Sequence, residues 1–280
     1  MSESGKNRRD RAAAARDAAQ ADERRRERTV RIIGAVTVLV VVVGIIVVAV
    51  VAKSSSSSDQ TAGTEIVEGA ALPKGVLPAD SPQAFGVTYG SASADAPVLE
   101  IWEDFQCPAC AAVENANGAG IAALAEEGEV QLVWRPATFL DRVNEGGDPG
   151  VAQSSTRAVA AWGCAIDAGK TLEFHETVFA NQPVEEGQGY TDAQLTGFAE
   201  SAGISGPDLE TFNTCLADGT YLDWATNSGI AFTSSPAQGT PFGLLDGVEV
   251  PSQVLADDAA LRELISGGAV PASEPSASAS

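Results

Sequence analysis

The chain is poor in the residue types from which most protein metal sites are built. Its 280 residues include one histidine, His175, and four cysteines. A structural zinc site commonly needs four such ligands in closely spaced pairs. Only Cys107 and Cys110 form such a pair, whereas Cys164 and Cys215 stand alone. We therefore expect no metal site.

Basic residues are also scarce, with 17 Lys and Arg against 38 Asp and Glu. The first 31 residues contribute +4, and the whole chain carries −21, so the part from residue 53 onward carries −25. Such a surface repels phosphate groups, which makes nucleic acid an unexpected partner. A solubilising acidic coat is the simplest interpretation, and it indicates no substrate.

One long stretch, residues 32–52, contains no charged side chain and a single polar one, Thr37. As a helix it would be about 30 Å long, the thickness of a bilayer core. A buried core helix seldom stays apolar on all sides, and a cleaved signal peptide usually has a shorter apolar region. The stretch therefore predicts an uncleaved transmembrane helix.

The charges beside this stretch predict its orientation. Five arginines lie between residues 24 and 31, whereas only Lys53 follows closely on the other side. Because Lys and Arg concentrate on the cytoplasmic side, we expect a single-pass protein of the cell membrane. Residues 1–31 are then a cytoplasmic tail, and the chain after Lys53 is extracytoplasmic.

Low-complexity segments bound the part that is expected to fold. Residues 53–82 begin with a serine run and lack apolar periodicity, which predicts a flexible linker. Residues 267–280 are rich in Ala, Ser and Pro and predict a disordered tail. One folded domain, residues 83–266, remains between them.

The start of this domain has the pattern of a βαβ unit. Alternating apolar residues predict strands over 97–105 and 129–137. The segment between them predicts a helix, with a kink or a break at residues 115–120, NANGAG, because glycine and asparagine weaken a helix. The two strands are expected to be parallel, with a right-handed crossover, in an α/β fold.

Helical periodicity continues over residues 154–230. Within it, Thr191 and the glutamine three residues later have capping-box spacing. A β-hairpin that turns at Asp246 and Gly247 is expected next, followed by a last helix from Asp258.

The CPAC motif lies at the junction of the first strand and helix. Pro108 is favoured at the first helical position, which predicts Cys107 as the N-cap residue. Backbone N–H groups and the helix dipole then stabilise the Cys107 thiolate, the nucleophilic form. Cys110 follows on the same helix face, within reach of a disulfide.

A metal site, a passive staple and a redox centre are competing interpretations of CPAC. Partner ligands for a metal are lacking, and a bridge across two residues removes little chain entropy. A CxxC motif between a strand and a helix outside the cytoplasm favours redox chemistry. We expect a redox-active Cys107–Cys110 disulfide and no other cofactor.

The remaining cysteines, Cys164 and Cys215, are interpreted as a structural disulfide. An even cysteine count in an oxidising compartment favours pairing, and a loop of this length would contribute about 4 kcal/mol in the chain-entropy model. The alternative is two buried free thiols.

Four segments, EDFQCPAC, FHETVFANQP, FNTCL and GTPFGLLDGV, resemble the DsbA-like thiol-disulfide oxidoreductases, in the membrane-anchored form found in actinobacteria. The resemblance covers about residues 85–266. It implies a thioredoxin-like fold with a helical domain inserted at about 154–230. It also implies exported, cysteine-containing polypeptides as substrates and a quinone-linked membrane protein as the reoxidant.

The resemblance further implies that Cys107 attacks, Cys110 resolves and a cis-proline loop faces them. The loop corresponds to Thr240 and Pro241, where the backbone of Thr240 would pair with an extended substrate. Proline is the residue for which a cis peptide bond costs least. An ordinary trans turn proline at 241 is the alternative.

The motif departs from the most oxidising relatives, because Ala109 stands where they have histidine. Glu103 and Asp104, just upstream, also oppose a thiolate, so we expect a milder oxidant. Either acid is a candidate proton acceptor for Cys110. In an alternating strand at most one of them is buried there, and a solvated surface acid is the simpler interpretation of both. His175 is interpreted as a packing residue.

Two other functions compete with substrate oxidation. The same chemistry could run in reverse, in a disulfide reductase or isomerase. The fold could also serve as a non-catalytic peptide-binding module, which would not need Cys107.

Overall fold

The computed structural model describes residues 65–144, 149–183 and 187–267. The predicted cytoplasmic tail, transmembrane helix and first part of the linker lie outside the described residues, as does the tail after Gly267. Within the described ranges, no helix combines the length and the apolar character needed to cross a bilayer.

The strands of the described part form one sheet in the order β1-β3-β2-β4-β5. Strand β2 lies at its centre, parallel to β3 and antiparallel to β4, and the outer pairs are also antiparallel. Both β2 and β3 are buried almost throughout, as central strands covered on both faces are. The strands are Val87–Tyr89 (β1), Val98–Glu103 (β2), Gln131–Pro136 (β3), Phe242–Leu245 (β4) and Val248–Val250 (β5).

Helix α1, Pro108–Glu126, connects β2 to β3 and confirms the predicted βαβ unit. The predicted break at residues 115–120 is wrong, because α1 is continuous. The side-chain amide of Asn117 donates a hydrogen bond to the carbonyl of Leu255 at 2.8 Å. Gly118 has no side chain, and the Glu114 carboxyl lies where a Cβ would be. The Asn117 bond and the burial of this face of α1 outweigh the roughly 1 kcal/mol that each glycine costs a helix.

Five helices described between β3 and β4 confirm the predicted helical segment and form an insertion in the α/β unit. Short 3-10 turns, Phe139–Asn144 and Pro149–Val151, precede them. The Thr191 capping box is present as predicted. The helices are Ser154–Asp167 (α2), Thr171–Ala180 (α3), Asp192–Ser201 (α4), Pro207–Ala217 (α5) and Leu222–Thr233 (α6).

A hairpin and two helices complete the domain. Asp246 and Gly247 both have positive φ, 48° and 79°, which confirms the predicted turn between β4 and β5. Helix α7, Ser252–Leu255, and helix α8, Asp258–Ile265, follow and pack against α1. The sheet with these helices is the thioredoxin-like arrangement that the resemblance implies.

The predicted linker is wrong over its second half, which packs on the domain. Val76 is buried and forms a bridge with Val87. Leu77 exchanges two backbone hydrogen bonds of 2.9 Å with Phe85 and Gly86. Further upstream, the Asn227 amide both accepts from and donates to the backbone of Val67, at 2.7 and 2.9 Å. These contacts are long-range, so local periodicity does not indicate them.

The core contains all four tryptophans, each at most 2% exposed, as expected from the sequence. Trp134 and Trp162 contact each other edge to face on the side of α2 and α3. Trp102 lies in a separate small cluster with Ala137, Phe232 and Ala237. The larger cluster therefore lies where the insertion meets the sheet.

A disulfide joins Cys164 of α2 to Cys215 of α5, with a Cα–Cα distance of 5.9 Å. Both cysteines belong to the insertion, so the bond connects two of its helices directly.

Replacing Cys164 and Cys215 together with alanine should lower the free energy of unfolding by about 4 kcal/mol, because the unfolded chain regains the entropy of a 51-residue loop. Urea unfolding of both proteins measures this. An unchanged midpoint and slope would contradict the assignment of a stabilising role.

Two glycine-to-alanine changes test why α1 tolerates its glycines. At Gly197, in α4, an added Cβ would meet nothing within 4 Å, so G197A should raise the free energy of unfolding by about 0.5–1 kcal/mol. At Gly118 the Cβ would collide with the Glu114 carboxyl, so G118A should give no such gain. Equal stabilisation of both variants in urea would refute this explanation.

Candidate active site at the CPAC dithiol

Cys107 lies where the chain turns from β2 into α1. It is the N-cap residue, with Pro108 at the first helical position, as predicted. Its own N–H donates to the carbonyl of Asp104 at 2.8 Å, which closes the turn. Cys107 is 6% exposed, but Pro108 and Ala109 beside it are exposed. The sulfur therefore lies just inside the open edge of the domain.

A cis peptide bond between Thr240 and Pro241 faces this sulfur. The Cys107 thiol donates to the carbonyl of Thr240 at 3.3 Å. The two segments meet because β4 pairs with β2, with Phe242 opposite Trp102. The structure thus brings together the predicted nucleophile and the predicted substrate-binding loop.

The two thiols of the motif are free, and their environments drive their proton affinities apart. A hydrogen bond from Cys110 is the largest influence on Cys107, and the Thr240 side chain and the backbone N–H groups of Ala109 and Cys110 add to it. Together they lower the pKa of Cys107 from 9.0 to about 6, although burial opposes them. Burial, followed by the bond to Cys107 and the charge of Glu103, raises the pKa of Cys110 well above 9.0. At neutral pH the pair is one thiolate and one thiol.

Both candidate acids are buried, so the interpretation of either as a solvated surface group is wrong. Glu103 is 6% exposed and Asp104 is fully buried. Strand alternation fails as a guide here, because β2 ends at Glu103 and the insertion covers the turn that follows.

The carboxylate oxygens of Asp104 accept hydrogen bonds from the surrounding backbone and from one side chain. Asp104 accepts hydrogen bonds from the N–H groups of Gln106 and Leu140, at 2.9 and 3.0 Å, and from the Ser155 hydroxyl at 2.6 Å. Burial raises its pKa to about 7, against these bonds. Asp104 therefore braces the turn before Cys107 and is poorly placed to receive a proton from Cys110.

Glu103 has an unpartnered buried oxygen, Oε1, and lies close enough to both cysteines for its charge to act on them. Burial is the main reason why its pKa rises to about 8. Of the two predicted acids, Glu103 is the one whose surroundings suit a proton acceptor for Cys110.

Two functional candidates were missed by sequence reasoning, namely Glu114 and the polar side of His175. The His175 Nε2 lies 3.1 Å from Glu103 Oε2, and its Nδ1 lies 3.8 Å from Glu114 Oε2. Glu114 follows Cys110 by one helical turn on the same face, and that spacing is a signal which could have identified it.

The expected packing role of His175 is also present, because its ring contacts a cage of aromatic side chains. The centroid distances lie between 4.6 and 5.6 Å for Phe105, Trp134, Trp162 and Phe179. Burial lowers the pKa of His175 and raises that of Glu114 well above 4.5. The imidazole and the Glu114 carboxyl therefore both favour their neutral forms.

Ligand atoms of Glu103, Glu114 and His175 lie within 4.8 Å of one another, which is close enough to consider a metal ion. However, the two nitrogens of the imidazole face different carboxyl groups. This arrangement also allows the two carboxyl groups to share protons with the imidazole.

Two further residues of the insertion hold the catalytic turn. The Gln182 amide donates to the carbonyls of Phe105 and Cys107 at 2.9 and 3.0 Å. The Tyr190 hydroxyl donates to the carbonyl of Phe105 at 2.6 Å. No local motif indicated these residues, because each contact spans more than 70 positions.

Comparison with known proteins agrees with this architecture. A family model described as thioredoxin matches residues 84–265. The MdbA thiol-disulfide oxidoreductase of Actinomyces oris shares 22% identity at a TM-score of 0.59, over 74% of this chain and 97% of that chain. Reduced DsbA of Mycobacterium tuberculosis shares 26% sequence identity at a TM-score of 0.53, and the match covers 67% of this chain and 95% of that chain.

Reduced DsbG of the same organism, described as a disulfide bond oxidoreductase, shares 25% identity at a TM-score of 0.52, over 70% of this chain and 91% of that chain. No curated protein matches the chain significantly.

Titration of the reduced protein should show thiolate absorbance with a midpoint near pH 6, absent from Cys107→Ser. Because the folded-state pKa is depressed, thiolate stabilisation of the reduced fold is complete above pH 9.0 and is lost as the pH falls through about 6. A midpoint near 9.0 would contradict the assigned hydrogen bonds.

Proposed function

The chain belongs to the thioredoxin family, as a DsbA-like thiol-disulfide oxidoreductase, and we propose that it oxidises cysteine pairs in exported polypeptides through its CPAC motif. The observation that carries this proposal is the divergence of the two thiols. Cys107 is acidified beside the cis Thr240–Pro241 peptide bond, and Cys110 is buried and holds its proton.

The acidity of Cys107 supports the oxidising direction. A low thiol pKa stabilises the reduced enzyme above that pKa and so raises the reduction potential of the disulfide. An enzyme whose reduced form is stabilised tends to pass its disulfide to a substrate. A Cys107 pKa of about 6, rather than a far lower one, supports the expectation of a moderate oxidant.

The reaction begins at the disulfide between Cys107 and Cys110. A substrate thiolate attacks Cys107 Sγ, the disulfide breaks, and Cys110 leaves as a thiolate that takes a proton from Glu103. A second substrate thiolate then attacks the substrate sulfur of the mixed disulfide, and Cys107 leaves as the stabilised thiolate. The products are a substrate disulfide and an enzyme dithiol, and no further cofactor is required.

The backbone at Thr240 is a candidate docking edge for the substrate. Thr240 and Pro241 are half-buried and directly precede β4, so an extended peptide could pair there while its cysteine approaches Cys107. The Thr240 carbonyl, which accepts from the Cys107 thiol, becomes available when that sulfur is bonded to the substrate.

The location and the reoxidant form part of the proposal. The apolar residues 32–52 and the arginines before them favour a membrane anchor with the catalytic domain outside the cytoplasm. The resemblance to anchored actinobacterial relatives favours a quinone-linked membrane protein as the reoxidant. A disulfide reductase or isomerase of the same fold is the second candidate function.

Cys107→Ser should abolish oxidation of a reduced, unfolded test polypeptide, because Cys110 alone cannot form the CPAC disulfide that the substrate thiolate attacks. The control is the Cys164→Ala/Cys215→Ala variant, assayed below its unfolding temperature, which should retain the activity. Full activity of Cys107→Ser would leave only a peptide-binding role.

Direction and substrates are tested with the same protein. Cys110→Ala should remain covalently attached to exported polypeptides through Cys107, because the trapped mixed disulfide lacks its resolving thiol. The measured reduction potential should exceed that of thioredoxin, about −270 mV. A value at or below thioredoxin's would reverse the proposed direction in favour of a reductase.

A further inference from the structure

Glu103, His175 and Glu114 form a buried line of titratable groups behind the dithiol. They come from three elements, β2, α3 and α1, and their side chains are 5%, 2% and 4% exposed. One polar atom of each, Glu103 Oε1, His175 Nδ1 and Glu114 Oε1, is buried and has no hydrogen-bond partner of good geometry. The carboxyl groups of Glu103 and Glu114 are also close enough to act directly on each other. Buried polar atoms are normally paired, so three unpaired ones in one cluster of titratable groups favour a role in proton exchange.

We propose that His175 passes protons between Glu103 and Glu114, so that these three residues form one relay that protonates and deprotonates Cys110. The inference rests on the proposed function, because Cys110 changes its proton only if CPAC exchanges disulfides. It goes beyond that function by adding two residues from outside the motif and a route for the proton.

The geometry of the imidazole carries the proposal. Neutral imidazole has one N–H donor and one acceptor nitrogen, and each nitrogen of His175 faces a different carboxyl group. The ring can therefore accept a proton at one nitrogen and release one from the other. The Nε2 contact has hydrogen-bond length, whereas the 3.8 Å at Nδ1 is longer and must shorten during transfer.

The proton balance of the relay is complete. The relay begins with Glu103 ionised and with Glu114 having released its own proton to solvent at the outer end. When Cys110 is deprotonated, its proton moves to the Glu103 carboxylate. Glu103 then gives a proton to Nε2 of His175 as Nδ1–H gives its proton to the Glu114 carboxylate. The result is a Cys110 thiolate, an ionised Glu103, a neutral imidazole of the other tautomer and a protonated Glu114. The reverse sequence supplies the proton that Cys110 needs when a substrate thiolate displaces it.

Glu114 is the outer member of the relay. Its side chain is buried, but its residue lies on a partly exposed stretch of α1, next to the exposed Asn115. Gly118, one turn later, leaves the space in which the Glu114 carboxyl lies, since a Cβ there would collide with it. Glu103 has no comparable route, because its neighbours in β2 and the turn that follows are buried.

Other ionisable groups surround the relay without replacing any part of it. Cys107 and Cys110 of α1 lie at its inner end, and the exposed Glu176 of α3 acts on Glu114 and His175 by its charge. Arg135 of β3 is paired with Glu100 and lies over the Trp102 ring. Its charge is therefore already engaged on the other side of β2.

The decisive step can be isolated with glutathione disulfide. The reduced protein first forms a Cys107–glutathione mixed disulfide and releases one glutathione. Cys110 then loses its proton and attacks Cys107 Sγ, which releases the second glutathione. Acid quenching followed by mass spectrometry gives both rates, and repeating the measurement over a range of pH gives a profile for each.

Two relay variants and one matched control are compared with the unaltered full chain. His175→Phe keeps an aromatic ring in the cage but removes both nitrogens, and Glu114→Gln keeps the shape of the side chain. Both should resolve the mixed disulfide on the order of 10²-fold more slowly near neutral pH. In both variants, the rate of resolution should become proportional to the hydroxide concentration. The rate of the first step, formation of the Cys107–glutathione mixed disulfide, should stay within about twofold of that of the unaltered protein. This retained rate would also show that the variants are folded.

The control, Glu173→Gln, removes a carboxylate from an exposed residue of the same helix as His175 that pairs with Lys170, and it should leave both profiles unchanged. If His175→Phe resolves the mixed disulfide at the unaltered rate with the unaltered pH profile, the relay through His175 is overturned and the proposed function stands, whatever the result for Glu114→Gln. If Cys107 of the unaltered protein forms no mixed disulfide, the proposed function and the relay fall together.

Discussion

The cost of placing charge beneath the CPAC motif governs the chemistry of this domain. Cys110, Glu103 and Glu114 are enclosed between the central strand, α1 and the insertion, where water cannot stabilise an anion. Burial is the first cause of the raised pKa of each of these groups. Burial also acts on Cys107, but its pKa is lowered because hydrogen bonds to its sulfur at the start of α1 outweigh burial. The site therefore distinguishes two cysteines that are only three positions apart.

The helical insertion is part of the active site, because it supplies contacts that the thioredoxin-like unit lacks. His175 faces Glu103, while Gln182 and Tyr190 hold the carbonyls of the turn that carries Cys107. Ser155 fixes Asp104 from a second helix of the insertion. A nucleophile must be held in a defined position to react efficiently, and here that position depends on segments far apart in the chain. Removing the contacts of Ser155, Gln182 or Tyr190 should therefore affect Cys107, although no catalytic cysteine belongs to the insertion.

Local patterns predicted the features that are encoded locally. The N-cap position of Cys107, the Thr191 capping box and the Asp246–Gly247 turn each depend on a few neighbouring residues. The cis Thr240–Pro241 bond followed from a family resemblance. Three expectations failed where distant contacts decide: Asn117 of α1 bonds the carbonyl of Leu255, residues 76 and 77 pair with the chain at and before β1, and Glu103 and Asp104 are both buried. The side-chain partners of His175 could not be predicted, because helical periodicity indicates burial but not which group lies opposite.

The Cys164–Cys215 bond makes the protein a product of the same kind of reaction that it is proposed to perform. A newly made chain carries four thiols, and two of them must be oxidised to join α2 to α5. This oxidation belongs to the maturation of the insertion, whereas the bond at CPAC is made and broken in the proposed reaction. In the proposed reaction, each molecule would thus keep one disulfide permanently and pass a second one on, so that the supply of oxidant would limit both the formation of the Cys164–Cys215 bond and the rate of turnover.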